Sequence, residues 1–126
     1  MIVGLGVDLA RASRFTRLLA KEKQGVIARI FTPGELAYSL GMKDPAPHLA
    51  ARFAAKEAFV KALGLGLRSG MSWQEIEVER NELGAPSLRL FGQAEKHAAQ
   101  RQVKAIHLSY SHEGDYATAT VILESS

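Results

Sequence analysis

The sequence predicts an α+β fold in which an antiparallel or mixed sheet packs against one long helix. Three observations predict it. Helix caps and 3.6-residue apolar spacing dominate the first half, around Ser13, Thr32 and the run that stops at Gly64. From Trp73 onward the apolar period changes to two, and the alternating runs come in pairs joined by turn residues, the pattern of antiparallel hairpins. An apolar run at residues 2–5, with glycines at 4 and 6, reads as a buried strand at the start of the chain. With 126 residues the chain is expected to form one domain over 1–126 and to bury roughly two thirds of its unfolded surface.

Taken in order, the strand at 2–5 delivers Asp8 at its end. Ser13 is expected to cap a helix reaching about residue 23, with Phe15, Leu18 and Leu19 on its apolar side. Thr32, Pro33 and Glu35 have the spacing of a capping box with proline at the first helical position, so a short helix to about Leu40 follows. Two prolines make residues 43–47 a loop, because each biases its predecessor away from the helical region. The long helix then spans about 48–63 and stops at Gly64. Ile76 and Val78 alternate with Glu75, Glu77 and Glu79, and Leu88-Arg89-Leu90 alternates again after a turn containing Gly84 and Pro86. A polar helix at about 93–102 and a second hairpin, 105–112 with 116–124, complete the chain.

Several classes of function are excluded. There are no cysteines, so thiolate nucleophiles, disulfides and zinc-thiolate sites are absent. No basic segment precedes the first apolar run and no run is long enough to span a bilayer, so neither a signal peptide nor a membrane partner is expected, and a cytoplasmic location fits. The glycines at 64, 66 and 70 follow a helix, whereas a phosphate-binding Gly loop follows a strand and opens a helix.

Charge is uneven. Residues 1–64 hold ten Lys and Arg against five Asp and Glu, while residues 65–126 hold six against eight, which points to an acidic partner for the first half. Arg14, Arg17 and Lys21 fall at i, i+3 and i+7, with Arg11 just before them. A solvated helix face is the ordinary meaning of such a stripe; an acidic protein is the functional one, and nucleic acid is disfavoured because no aromatics interleave the basic residues.

The stretch from Arg52 to Lys61 carries the most chemistry. Phe53, Glu57 and Lys61 recur every four residues on a helix that otherwise reads as core, so a carboxylate sits between a ring and an ammonium. An exposed Glu–Lys pair is the bland meaning of that spacing. Asp8 alone would suit a helix cap, and His112 a turn before Glu113 and Gly114. Asp8 and Glu57 together are two hard oxygen donors suited to Mg²⁺, whose remaining positions go to waters and phosphates.

Gly4-Leu5-Gly6-Val7-Asp8, Arg29-Ile30-Phe31-Thr32 with Glu35, Arg52-Phe53-Ala54-Ala55-Lys56-Glu57-Ala58 with Lys61 and Gly64, Gly84 with Pro86, and Ser109-Tyr110-Ser111-His112 together resemble the holo-[acyl-carrier-protein] synthase family of small 4'-phosphopantetheinyl transferases. The resemblance implies the fold of that family and Mg²⁺-dependent transfer of phosphopantetheine from coenzyme A to a serine of apo acyl carrier protein, in support of fatty acid biosynthesis. It implies that Asp8 and Glu57 bind the metal and that Lys61 contacts the pyrophosphate. It further implies that Arg52 and His112 meet the adenosine 3'-phosphate, that Gly64, Gly84, Pro86 and Ser111 lie near the nucleotide, and that a homotrimer forms its sites between subunits. Arg11, Arg14, Arg17 and Lys21 would dock the acidic carrier. Tyr110 departs from the aliphatic residue usual at its position in that family. The alternatives to this reading are a Mg²⁺-dependent phosphohydrolase and a non-catalytic nucleic-acid-binding module.

Overall fold

The computed structural model describes residues 1–21, 24–66 and 70–126. Five strands, five α-helices and a 3-10 turn (Trp73–Glu75) occur among them: β1 (Ile2–Arg11), α1 (Ala12–Ala20), α2 (Gln24–Ile30), α3 (Pro33–Leu40), α4 (Pro45–Leu63), β2 (Ile76–Arg80), β3 (Pro86–Leu90), α5 (Gly92–Gln100), β4 (Val103–Glu113) and β5 (Tyr116–Ser125). β1, β5 and β4 form one antiparallel sheet in that order, and β2 pairs with β3 in a second.

α4 is the axis of the molecule. Leu49 to Lys56 are all buried, as are Ala58, Phe59, Val60, Ala62 and Leu63, so the helix is enclosed except along the line of half-buried Glu57 and exposed Lys61. Its alanines let neighbours approach closely. The tightest approach is with β1: a Cβ on Gly4 would run into the carbonyl oxygen of Ala62, and one on Gly6 into that of Ala58. Glycine at these two positions is therefore what lets the strand lie on the helix. Ala117, Ala119, Val121 and Leu123 of β5 fill the same face of the sheet.

The sheet's other face is open. Leu5, Val7 and Leu9 alternate with Gly4, Gly6 and Asp8 and are 57 to 64% exposed. They are in register with Ile122, Thr120 and Thr118 of β5, and beyond these with His107, Ser109 and Ser111 of β4.

Several element boundaries differ from the sequence expectation. β1 runs ten residues rather than four, so Asp8 lies within the strand, not at its end. The pairing with β5 continues to Arg11, and backbone pairing rather than the apolar run sets the strand's length. α1 begins at Ala12 with Arg11 in the cap position, so Ser13 is inside the helix and not its cap; the helix ends at Ala20, and residue 23 lies outside the described residues. Residues 45–47 are helix rather than loop, because prolines at the first turn replace N–H groups that have no intrahelical partner, and the Asp44 carboxylate accepts from the Ala46 amide. α2 has no counterpart in the sequence reading; its Gly25 and β-branched Val26, Ile27 and Ile30 give a weak helical signal. The Thr32–Glu35 capping box, the left-handed Gly64 cap and both hairpins form as expected, although the Gly-rich segment includes residues 67–69, outside the described set.

Candidate active site

Because Gly4 and Gly6 bring β1 onto α4, Asp8 meets the one half-buried carboxylate of that helix, Glu57. Lys61, one turn on, closes the set: its Nζ donates to Asp8 Oδ1 at 2.8 Å and to the Val7 carbonyl at 3.2 Å. The expected neighbour pair within the helix, Glu57 with Lys61, is thus replaced by a pair across to the strand. Glu57 is pushed above the usual carboxylate range, first by burial and then by the charge and hydrogen bond of Asp8, against the opposing pull of Lys61 and Arg14. The Lys61 ammonium is raised chiefly by its hydrogen bond to Asp8.

Two abutting carboxylates, the charge of Asp8 disfavouring ionisation of Glu57, are a fit for a hard divalent cation, which would relieve that repulsion. Among the described residues no third His, Cys, Asp or Glu joins them. Mg²⁺ asks for no more, since it is commonly held by one or two carboxylates with waters and substrate phosphates. Arg14 leans over this group, its guanidinium carbon 5.0 Å from the Phe53 ring centroid and 5.8 Å from that of Phe15.

A second group gathers around Arg52. Five residues separate it from Glu57, which turns the two side chains roughly 140° apart about the helix axis. Arg52 is only 2% exposed, its Nη1 donates to the His48 carbonyl at 3.2 Å, and its guanidinium lies 4.3 Å from the Tyr38 ring centroid. No carboxylate pairs with it among the described residues, and its Nε is buried with no partner. Arg80 approaches the same tyrosine ring at 5.3 Å and donates to the Tyr38 hydroxyl and to the Gly84 carbonyl. His48 stacks edge-on between Tyr38 and His112, at 5.9 and 5.8 Å. Burial, followed by the charges of Arg52, His112 and Arg80, lowers its pKa.

These residues border a cavity of about 690 Å³ lined by Tyr38, Arg52, Arg80 and Gly84, with Glu79 and Glu82 on its hairpin side. Gly84 is left-handed at φ +87°, the conformation that lets Ala85 and Leu83 donate to the Asn81 carboxamide in the turn. The Tyr110 hydroxyl is buried without a partner, so the aromatic departure at that position does leave a phenol unsatisfied.

The expected site residues therefore fall into separate places within one chain. Asp8, Glu57 and Lys61 meet. Arg52 and Gly84 share the cavity, and His112 joins Arg52 through His48. Pro86 opens β3 opposite Arg80. Gly64 caps α4 one turn beyond Lys61, near Arg101. Ser111 faces away, on the open side of the sheet, since adjacent strand residues point to opposite faces. Arg11, Arg14, Arg17 and Lys21 are all exposed, and Arg11 also stacks over Tyr116 at 5.3 Å. Beside them Leu18, Leu19, Ile27, Leu36 and Leu40 line an apolar groove of about 420 Å³.

Sequence reasoning missed His48, Tyr38 and Arg80, none of which stands in a motif. It also missed what Lys56 does. That ammonium is fully buried and spends its three donors on Glu35 Oε1 (2.6 Å), the Ile30 carbonyl (2.8 Å) and the Trp73 carbonyl (3.0 Å). The other Glu35 oxygen accepts from the Val78 amide. The available signal was helical spacing: Lys56 is four residues from Arg52, on the side of α4 away from Glu57.

Residues 4–121 match the family model described as the 4'-phosphopantetheinyl transferase superfamily. A holo-[acyl-carrier-protein] synthase of Syntrophotalea carbinolica is 51% identical over 98% of this chain and 96% of the relative. Among solved structures, the holo-[acyl-carrier-protein] synthase of Neisseria meningitidis superposes with TM-score 0.89 at 37% identity, covering 99% of this chain and 100% of that one. The holo-(acyl-carrier-protein) synthase of Bacillus anthracis, solved in complex with CoA (3',5'-ADP), superposes with TM-score 0.81 at 36% identity, covering 100% and 99%.

Proposed function

We propose a function for this chain from one premise: it belongs to the 4'-phosphopantetheinyl transferase superfamily. The chain, as a single domain over 1–126, moves the 4'-phosphopantetheine group of coenzyme A onto a serine of apo acyl carrier protein and releases adenosine 3',5'-bisphosphate. The observation that carries this reading is the Asp8–Glu57 carboxylate pair bound to the Lys61 ammonium, the groups that a phosphoryl transfer asks of a protein.

The serine oxygen attacks the phosphorus that bears pantetheine, and the bond from that phosphorus to the bridging oxygen breaks. The electron pair leaves on the bisphosphate. Glu57, across a bound water, takes the serine proton. Lys61 donates to the phosphate oxygens on which charge develops. Held by Asp8 and Glu57, Mg²⁺ would act as a Lewis acid on the pyrophosphate.

Arg52 takes the adenosine 3'-phosphate with His112, since a buried guanidinium that makes no salt bridge among the described residues favours an anion. Gly84 and Pro86 flank the nucleotide, with Gly64 and Ser111 nearby. Arg52 and Glu57 face nearly opposite sides of α4, which favours a coenzyme shared between chains, its two ends on neighbouring subunits of a homotrimer. The open stripe of Leu5, Val7 and Leu9 supports such an assembly, for an apolar sheet face of that kind is otherwise costly to leave in water.

The carrier is acidic and docks on Arg11, Arg14, Arg17 and Lys21, with apolar side chains entering the groove beside Leu18 and Leu19. No helix among the described residues is long and apolar enough to cross a membrane. We assign the reaction to the cytoplasm and to fatty acid biosynthesis. Following adenosine 3',5'-bisphosphate release from coenzyme A with and without apo carrier tests the reading. Release only with the carrier is expected; equal release without it would identify a phosphohydrolase.

A further inference from the structure

We infer that Asp115, in the turn between β4 and β5, is a positioning residue for the carrier-docking helix α1, which it caps from across the molecule. The inference rests on the docking reading given above and extends it to a residue outside the site.

The first turn of an α-helix leaves N–H groups without intrahelical partners, and a local Ser, Thr, Asp or Asn usually supplies the acceptor. α1 has no such residue. Arg11 occupies the cap position with an extended backbone and no side-chain bond to the helix, and the first turn contains no acid. The acceptors come instead from 102 residues away. Asp115 Oδ1 accepts from the Ser13 amide at 2.7 Å, Oδ2 from the Ser13 hydroxyl at 2.8 Å, and the Asp115 carbonyl from the Ala12 amide at 2.8 Å. A carboxylate there also complements the positive end of the helix.

Three bonds from one residue fix both the start of α1 and its rotation about its own axis. That rotation decides where Arg14 and Arg17 point, one and four residues beyond the Ser13 anchor. The same turn is held to β1 by the pairing of Arg11 with Tyr116 and by the stacking of the Arg11 guanidinium on the Tyr116 ring. His112, the last residue but one of β4, stands only three residues before Asp115. One carboxylate thus ties the helix that receives the carrier to the strand end assigned to the adenosine phosphate.

The test compares Asp115→Ala, Asp115→Asn and Arg17→Glu with the unsubstituted enzyme, measuring kcat, KM for carrier and KM for coenzyme A, together with amide hydrogen exchange along the chain. Asp115→Ala is expected to raise the carrier KM about fivefold, the equilibrium equivalent of a lost cap, with kcat and coenzyme A KM unchanged. Amides of α1 exchange faster in that variant while those of α4 do not. Asp115→Asn keeps an oxygen for the Ser13 amide and recovers most of the KM. A carrier KM unmoved by Asp115→Ala while Arg17→Glu raises it would overturn the inference and leave the transferase reading standing. If neither variant moves KM but turnover persists, docking on α1 falls and the role of Asp115 with it. Unchanged exchange in α1 overturns the inference whatever the kinetics, and a loss of kcat that Asn does not restore would identify a general structural role instead.

Discussion

Glu57 has an environment that works against its own charge. Burial and Asp8 disfavour its ionised form and outweigh Lys61 and Arg14, so its folded pKa lies above the unfolded one. Linkage then gives the sign: the group's contribution to stability is present in full below the ordinary carboxyl value and is lost as pH rises through the raised one. Metal-free protein is therefore expected to gain thermal stability as pH falls from neutral through that window. Glu57→Gln removes the repulsion, so it should melt no lower than the unsubstituted protein at neutral pH in chelator while losing turnover by roughly a hundredfold to ten-thousandfold. A lower melting point or retained turnover would contradict the assignment. Gly6 tests the same site from beneath. Its Cβ would strike the Ala58 carbonyl, backbone that cannot turn aside, so Gly6→Ala should cost about 3 kcal/mol or more and displace Asp8 from Glu57. Unfolding in denaturant alongside the transfer assay checks both effects.

At the scale of the element, α4 does two jobs on two sides. One side presents Glu57 and Lys61 to β1; the other buries Lys56 against Glu35, the third residue of α3, and against the carbonyls of Ile30 and Trp73. Removing the carboxylate in Glu35→Ala leaves that ammonium uncompensated and should cost about 3–5 kcal/mol, read as a loss of denaturation free energy. A cost below about 1 kcal/mol, the worth of an exposed pair, would show that the network is not structural. The helix was legible in the sequence from its apolar length and Gly64, and α3 from its capping box, because both signals are local. The start of α4 was not, because Pro45 and Pro47 read as breakers unless they are known to occupy the first turn. The cap of α1 was illegible for a stronger reason: its acceptor, Asp115, lies in another hairpin, and no window around Ser13 contains it.

For the whole molecule, the motifs located the residues but could not say which of them meet. Asp8 and Glu57 were put together from the sequence only as two hard oxygen donors and by the family resemblance; their meeting depends on the fold, where Gly4 and Gly6 let β1 lie on α4. Ser111 and His112 are sequence neighbours that face opposite sides of the sheet, and Arg52 and Glu57 share a helix but not a face; only the fold reveals this. The apolar outer residues of β1 also read as core, since a strand apolar on both sides is usually buried on both. Burial by neighbouring subunits would reconcile the two. Sedimentation should give three times the chain mass, and Leu5→Glu, a charge in the centre of the open face, should shift it towards the monomer with loss of activity. An unsubstituted protein that sediments as a monomer yet turns over would remove the shared site.

The most direct measurement is the intact mass of an apo acyl carrier protein after incubation with this protein, coenzyme A and Mg²⁺, with chelator and Glu57→Gln as parallel reactions. A gain of one phosphopantetheine group that disappears in both parallels is the predicted result. An unchanged mass with folded enzyme and several apo carriers, or a gain that survives Glu57→Gln, would contradict the account.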